Sequence, residues 1–185
     1  MTMTSERQER INEDLRSGER ERVVQALDSL NEMLRAREAD DTSIPPLTVL
    51  LCDDDARIRR EATWSVGKLA QNKAIDHAPL DRLIALLGDE DAEVRENAAW
   101  ALGEGAGVGI GQEEAIERLN ALLGDGSAQV RGMAVWALGR MAERMRLAHR
   151  SSIPLLEGLL DDKSLHVRKG AEWTLERIRV LDPRT

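Results

Sequence analysis

Residue types able to do covalent or metal chemistry are scarce in this chain. It holds three histidines, His77, His149 and His166, and one cysteine, Cys52. Iron chemistry needs several imidazole and carboxylate ligands gathered at one point, and a nucleophilic site needs a Ser or Cys beside a base. The histidines stand alone, each read as a surface or helix-end residue, so neither kind of set follows from their spacing. Carboxylates abound, but they fall in turns and on solvated faces, and any acid–base pair chosen among them would be arbitrary. Cys52 cannot by itself make a disulfide or a thiolate cluster within one chain. Beside Leu50 and Leu51 at a helix end, it reads as a small core filler. The expectation is no catalytic residue, no bound metal and no cofactor.

What recurs is a stretch without evident reactivity, Asp89 to Gly103, reading Asp-Glu-Asp-Ala-Glu-Val-Arg-Glu-Asn-Ala-Ala-Trp-Ala-Leu-Gly. It reappears 36 residues earlier as Asp53 to Gly67, 36 later as Asp125 to Gly139, and 37 beyond that as Asp162 to Glu176. Each copy keeps an apolar-Arg pair (Ile58-Arg59, Val94-Arg95, Val130-Arg131, Val167-Arg168), an Ala three residues on, and a Trp two further. Trp64, Trp100, Trp136 and Trp173 are all the tryptophans present. Self-similarity at such a period means stacked supersecondary units and not a single globular core.

Composition agrees. Phe and Tyr are absent, and Ala and Leu carry the apolar fraction, which suits helices packed closely together. The net charge of −8 and pI of about 5.0 are the wrong sign for a partner held through phosphates. The stretch from Ser5 to Arg22 is densely charged and lacks the apolar run of a signal peptide. No apolar run approaches the roughly 18 residues that a membrane span needs. A soluble, cytoplasmic protein without nucleic-acid or membrane partners is expected.

The elements that must position the repeat follow from punctuation. Residues 1–41 read as two helical stretches, about Ser5–Arg16 and Glu19–Glu38, broken at Gly18. They form a degenerate first repeat in which Arg22-Val23 replaces the apolar-Arg pair and Asp28 replaces Trp. Repeats follow over 43–76, 77–111, 112–149 and 150–182, all within one domain spanning 1–185. Each is a helix pair. The first helix is leucine-rich, with Pro near its first turn (Pro45 and Pro46, Pro79, Pro154), where the missing N–H costs nothing. The second starts after a cap at Asp55, Asp91, Ser127 or Ser164. Gly at every second position from 103 to 111 suggests a flexible link or a hinge. With Gly105 in place of Leu69, Met141 and Ile178, the second helix there is expected to fray early. Glu172 and Glu176 put carboxylates where a further repeat would pack, so the stack is expected to be capped and complete there.

On a helical wheel at about 100° per residue, Val94, Ala98, Ala99, Ala101, Leu102 and Gly103 with Arg95 fill an arc of roughly 200°. The remaining arc carries Trp100 among Glu93, Glu96 and Glu104. In the other copies it carries Trp64 with Arg57, Arg60 and Lys68; Trp136 with Met133 and Arg140; and Trp173 with His166, Lys169 and Arg177. Stability alone gives an amphipathic helix no reason to place its largest apolar side chain on its polar arc. Either the indoles face a partner, or they lie across the gap between adjacent second helices with their N–H bonded nearby; the two can coexist. Arg59, Arg95, Arg131 and Arg168 fall on the buried arc, where an unpaired charge is expensive. Asp53, Asp89, Asp125 and Asp162 lie in the turns six residues before them. An Asp–Arg ladder between repeats would satisfy both charges and set the register.

The pattern of acidic turn, Val-Arg and Ala-Ala-x-Ala-Leu-Gly resembles the HEAT repeat, in the short form found in phycobilisome lyases and many bacterial and archaeal proteins. The resemblance covers about Ser43 to Val180. It implies an all-α, right-handed α-solenoid of about five two-helix repeats, with first helices on the convex side and second helices lining the concave side. The Trp row would then lie on the concave surface. HEAT repeats serve mostly as protein-binding scaffolds, so the leading expectation is a non-catalytic adaptor for a protein or peptide partner. A chromophore lyase or chaperone subunit is the alternative. HEAT-fold DNA repair is a lesser one, since Glu93, Glu96 and Glu104 spoil a basic cleft, and HEAT-type hydroxylases need several His-Glu pairs that the sequence does not supply. Oligomeric state is left open.

Overall fold

A computed structural model describes residues 5–181; the parts of the expected domain at 1–4 and 182–185 lie outside the described residues. Among the described residues there are ten α-helices, two short 3₁₀ turns and no strand. They run as α1 (Glu6–Leu15), α2 (Arg20–Ala36), α3 (Ile44–Leu50), α4 (Ala56–Gln71), α5 (Leu80–Leu86), α6 (Ala92–Gly107), α7 (Glu114–Leu122), α8 (Ala128–Met145), α9 (Ser152–Gly158) and α10 (Leu165–Leu181). Odd and even numbers are the first and second helices of successive pairs. No helix among the described residues is long and apolar enough to cross a membrane.

The local rules that end these helices are visible. Gly18 takes φ +72° between α1 and α2, a conformation that costs a residue without Cβ nothing. The side chain of Asp55 accepts from the Arg57 amide, Asp91 from the amides of Glu93 and Val94, and Ser127 from that of Val130. These caps satisfy N–H groups that have no partner within the helix.

Packing differs between the two layers. The second helices α4, α6, α8 and α10 lie against one another along most of their length, whereas α5, α7 and α9 barely touch. The sequence motif explains this: Ala62, Ala98, Ala134 and Ala171 are wholly buried at the crossings, and so small a side chain lets helix axes approach closely. A stack tight in one layer and loose in the other curves with the tight layer inside.

Three expectations are corrected here. The helix of the third pair does not fray at Gly105: α6 runs to Gly107, as long as α4. The chain then folds back so that the Ile110 amide donates to the Gly105 carbonyl at 2.8 Å, and the loop turns at Gly109 with φ +82°. Cys52 is exposed and not in the core, because it follows the last turn of α3 on its outer side while Leu50 and Leu51 point inward. The histidines do not all stand alone: His149 Nε2 lies 2.9 Å from Glu113, and His77 Nδ1 lies 2.6 Å from Asp76.

Candidate functional site

The ladder is the clearest side-chain constellation. Arg59 sends Nε and Nη2 to the two oxygens of Asp89 at 2.8 and 2.9 Å, and its Nη1 to the Asp53 and Asp54 carbonyls of its own turn. Arg95 repeats this with Asp125, and Arg131 with Asp162. Each Asp also takes the amide two residues on: Asp91, Ser127 and Ser164. The pairs are nearly dry; the Arg59 and Asp89 side chains keep only 10% and 7% of their exposure. Burial pushes the carboxyls of Asp89 and Asp125 up, but the guanidinium and amide hydrogen bonds outweigh it and hold both below the usual carboxylate range. At Asp162 the hydrogen bond from Arg131 leads, with the same result. Such forks fix orientation as well as charge. At the two ends the pattern stops: among the described residues the Arg168 side chain reaches only the Asp162 and Lys163 carbonyls, and the Asp53 carboxylate takes only the Asp55 amide.

The tryptophans are partly buried and form one row on the second-helix layer. Each of the last three wedges the Cε3–Cζ3 edge of its ring over a glycine of the preceding second helix: Trp100 on Gly67, Trp136 on Gly103, Trp173 on Gly139. That edge is the benzo side of the indole, away from Nε1. Among the described residues no acceptor takes an indole N–H, and none of these nitrogens is among the buried atoms left without a partner. The indole nitrogens are therefore not sealed from solvent. The N–H bond that the inter-helix alternative calls for is not made among the described residues, because the ring enters the gap with its other side. Trp64 has no glycine beneath it; Asn31 stands there and instead bonds Ser65 and Glu61. Trp64 and Trp100 stack at 6.4 Å.

Cations dress three of the four rings. Arg35 and Lys68 lie over Trp64 at 5.3 and 5.9 Å, Arg140 over Trp136 at 5.5 Å, and Arg177 over Trp173 at 3.7 Å. Among the described residues none lies over Trp100. Around it Arg60 pairs with Glu93 at 2.6 Å and Gln71 donates to Glu104 at 3.1 Å. Glu96, half-buried, has no ion pair among the described residues, and burial, helped by Glu93, pushes its carboxyl up. Arg57, His166 and Lys169 are exposed, while Met133 is partly covered.

Sequence reasoning missed Gly67, Gly103 and Gly139 as sockets. The signal was there: each stands three residues after a Trp and 33 or 34 before the next. It also missed the packing of the glycine-rich link, where Gly107 makes room for the Arg140 guanidinium and Gly111 for the Met145 sulfur.

Stacked helix pairs, locked by a repeated buried ion pair and a repeated aromatic wedge, define an α-solenoid. The HEAT-like repeat family matches residues 56–104 and the HEAT repeat family residues 121–185. The chain is a HEAT-like repeat protein. Among solved structures it is similar to a computationally designed armadillo repeat protein for modular peptide recognition, at 25% identity and TM-score 0.75 over 91% of this chain and 81% of that one. A designed armadillo repeat protein in complex with the peptide (KR)4 shares 24% identity and TM-score 0.69, covering 96% and 88%. The complex of CpcE and CpcF of phycocyanin lyase from Nostoc sp. PCC7120 shares 20% identity and TM-score 0.72, covering 100% and 69%. No curated protein matches the sequence.

Proposed function

We propose that this chain is a non-catalytic scaffold that binds an extended segment of a protein partner along the Trp row, on the concave side of the stack. The single observation that carries the reading is the state of Trp100. It is the one indole of the row without a cation over it among the described residues, and it sits beside Glu96, a half-buried carboxylate without a cation of its own. A lysine or arginine of the partner would supply both, since a cation over an indole gains about 0.5–2 kcal/mol. Trp64, Trp136 and Trp173, whose indole nitrogens are not sealed from solvent, would flank it with apolar contact and hydrogen bonding. Second helices about 8–10 Å apart give a row of roughly 30 Å, which suits a peptide better than a small molecule. Covering about 100 Å² of each ring contributes on the order of 2.5 kcal/mol, enough in sum to offset an association cost of several kcal/mol. That a fold neighbour was solved with the peptide (KR)4 fits a basic ligand. The likeness to the phycocyanin lyase complex is one of fold, and no side-chain arrangement favours the lyase reading.

The test is affinity capture from native lysate with wild type, Glu96→Lys, and Trp100→Phe with Trp136→Phe. Phe keeps a ring in each glycine socket while removing the N–H and part of the exposed face. A specific prey held by wild type and lost or weakened with both variants is expected. A prey held equally by all three refutes the row as the docking surface.

A further inference from the structure

The ladder is interrupted at its first junction, and a groove lies there. Between the α4–α6, α6–α8 and α8–α10 pairs, an arginine of one repeat fills the space beside the next repeat's turn and grips its Asp. Thirty-six residues before Arg59 stands Val23, buried on α2. Its side chain cannot reach or satisfy Asp53, the carboxylate equivalent to Asp89. The turn is otherwise in register: the Glu19 amide bonds the Ser17 hydroxyl as the Asp55 amide bonds Asp53. Where the guanidinium and its stem belong there is instead a groove of about 380 Å³, lined by Gly18, Val23, Val49, Leu50, Asp53 and Ile58. That volume falls within the range of ligand sites. Val49, 72% exposed, forms an apolar rim. Two arginines also border the groove, but Arg20 is paired with Asp55 and Arg16 donates to the Asn12 carbonyl. Of the four ladder carboxylates, Asp53 alone is left without a guanidinium among the described residues.

We propose that this groove receives an arginine side chain of a partner protein, its guanidinium completing the ladder on Asp53 and its stem lying against Val23, Leu50 and Ile58. The occupant is specified by the molecule itself. The same carboxylate in three later turns takes Nε and Nη2 of an arginine in a planar fork, a geometry that an ammonium cannot reproduce. The apolar walls suit a trimethylene stem. The groove is built from α3, the turns and the first turns of α2 and α4, and no tryptophan lines it, so its failure leaves the Trp-row proposal untouched, and the reverse holds.

The experiment titrates capped Gly-Arg-Gly, Gly-Lys-Gly and Gly-citrulline-Gly peptides into the ¹⁵N-labelled full chain and follows backbone amide shifts. Saturable shifts clustered at Gly18, Val23, Asp53 and Ile58 are expected for the arginine peptide. Binding about tenfold weaker is expected for lysine and citrulline, the value of one charge-assisted hydrogen bond. Asp53→Asn should abolish the clustered shifts. Val23→Arg should do the same by filling the groove from within, and should raise the melting temperature. Absence of clustered shifts with the arginine peptide, or shifts that survive Asp53→Asn, overturns the proposal. If Val23→Arg does not fold, Asp53→Asn decides alone.

Discussion

Replacing Gly67 by Ala probes the wedge with which one repeat grips the next. In a helix interior this change ordinarily stabilises by about 1 kcal/mol, because Ala loses less backbone freedom on folding. At Gly67 the added Cβ would lie 2.5 Å from Trp100 Cζ3, 2.6 Å from its Cε3 and 3.1 Å from the Ala101 Cα. The ring must leave its socket or the α4–α6 gap must widen, and overpacking of that kind costs about 1–3 kcal/mol. The sum is a destabilisation between near zero and about 2 kcal/mol. Gly158, where a Cβ would meet nothing within 4 Å, supplies the control: Gly158→Ala should be neutral to stabilising. In a Trp100→Leu background the socket is vacated, and Gly67→Ala should become near neutral or favourable, a coupling of about 1–3 kcal/mol. Urea unfolding followed by far-UV circular dichroism measures all four corners of this cycle. Equal stabilisation by Gly67→Ala and Gly158→Ala, or additivity with Trp100→Leu, would falsify the wedge.

Further predictions concern charge. Arg95→Ala strands Asp125 in a nearly dry site, and breaking a buried pair in this way should lower unfolding free energy by about 3–5 kcal/mol; a loss under about 1 kcal/mol by the same urea assay would mean that the ladder is ornamental. The carboxyls of Asp89, Asp125 and Asp162 are held below the ordinary value, so their contribution is complete above about pH 4. It should vanish as pH falls through the lower folded values, giving an acid limb of stability that becomes shallower in Arg95→Ala. Glu96 has the opposite sign: its carboxyl is raised, so its ionised form opposes folding. Glu96→Gln should therefore raise the melting temperature at pH 7 and leave it unchanged at pH 4. A melting temperature unaltered at both pH values would place Glu96 in plain solvent.

Legibility followed the range of the interaction. The caps at Asp55, Asp91 and Ser127 and the break at Gly18 are decided within four residues of chain, and they stand where the sequence puts them. The Arg–Asp ladder spans 30 or 31 residues yet was readable, because charge on a buried arc demands a partner and the turn offered one. The pose of the indoles was not. A wheel describes one helix and puts Trp100 on its polar arc, but the glycine that admits its benzo edge belongs to the helix before. The fraying expected at Gly105 failed for a related reason: the residue was judged by propensity, whereas the Ile110 backbone folding onto it fixes the end of α6. Cys52 was assigned by its neighbours' polarity, and the helix end turned it outward.

The most direct measurement is made on the four indole N–H signals of the ¹⁵N-labelled chain, before and after adding the captured partner or its minimal binding peptide. Fast hydrogen exchange at all four positions in the free protein is expected, with shifts and slowed exchange at Trp100 and at least one flanking indole on binding. Four signals already protected in the free chain, or unmoved when the partner is bound, would contradict the Trp row as the binding surface.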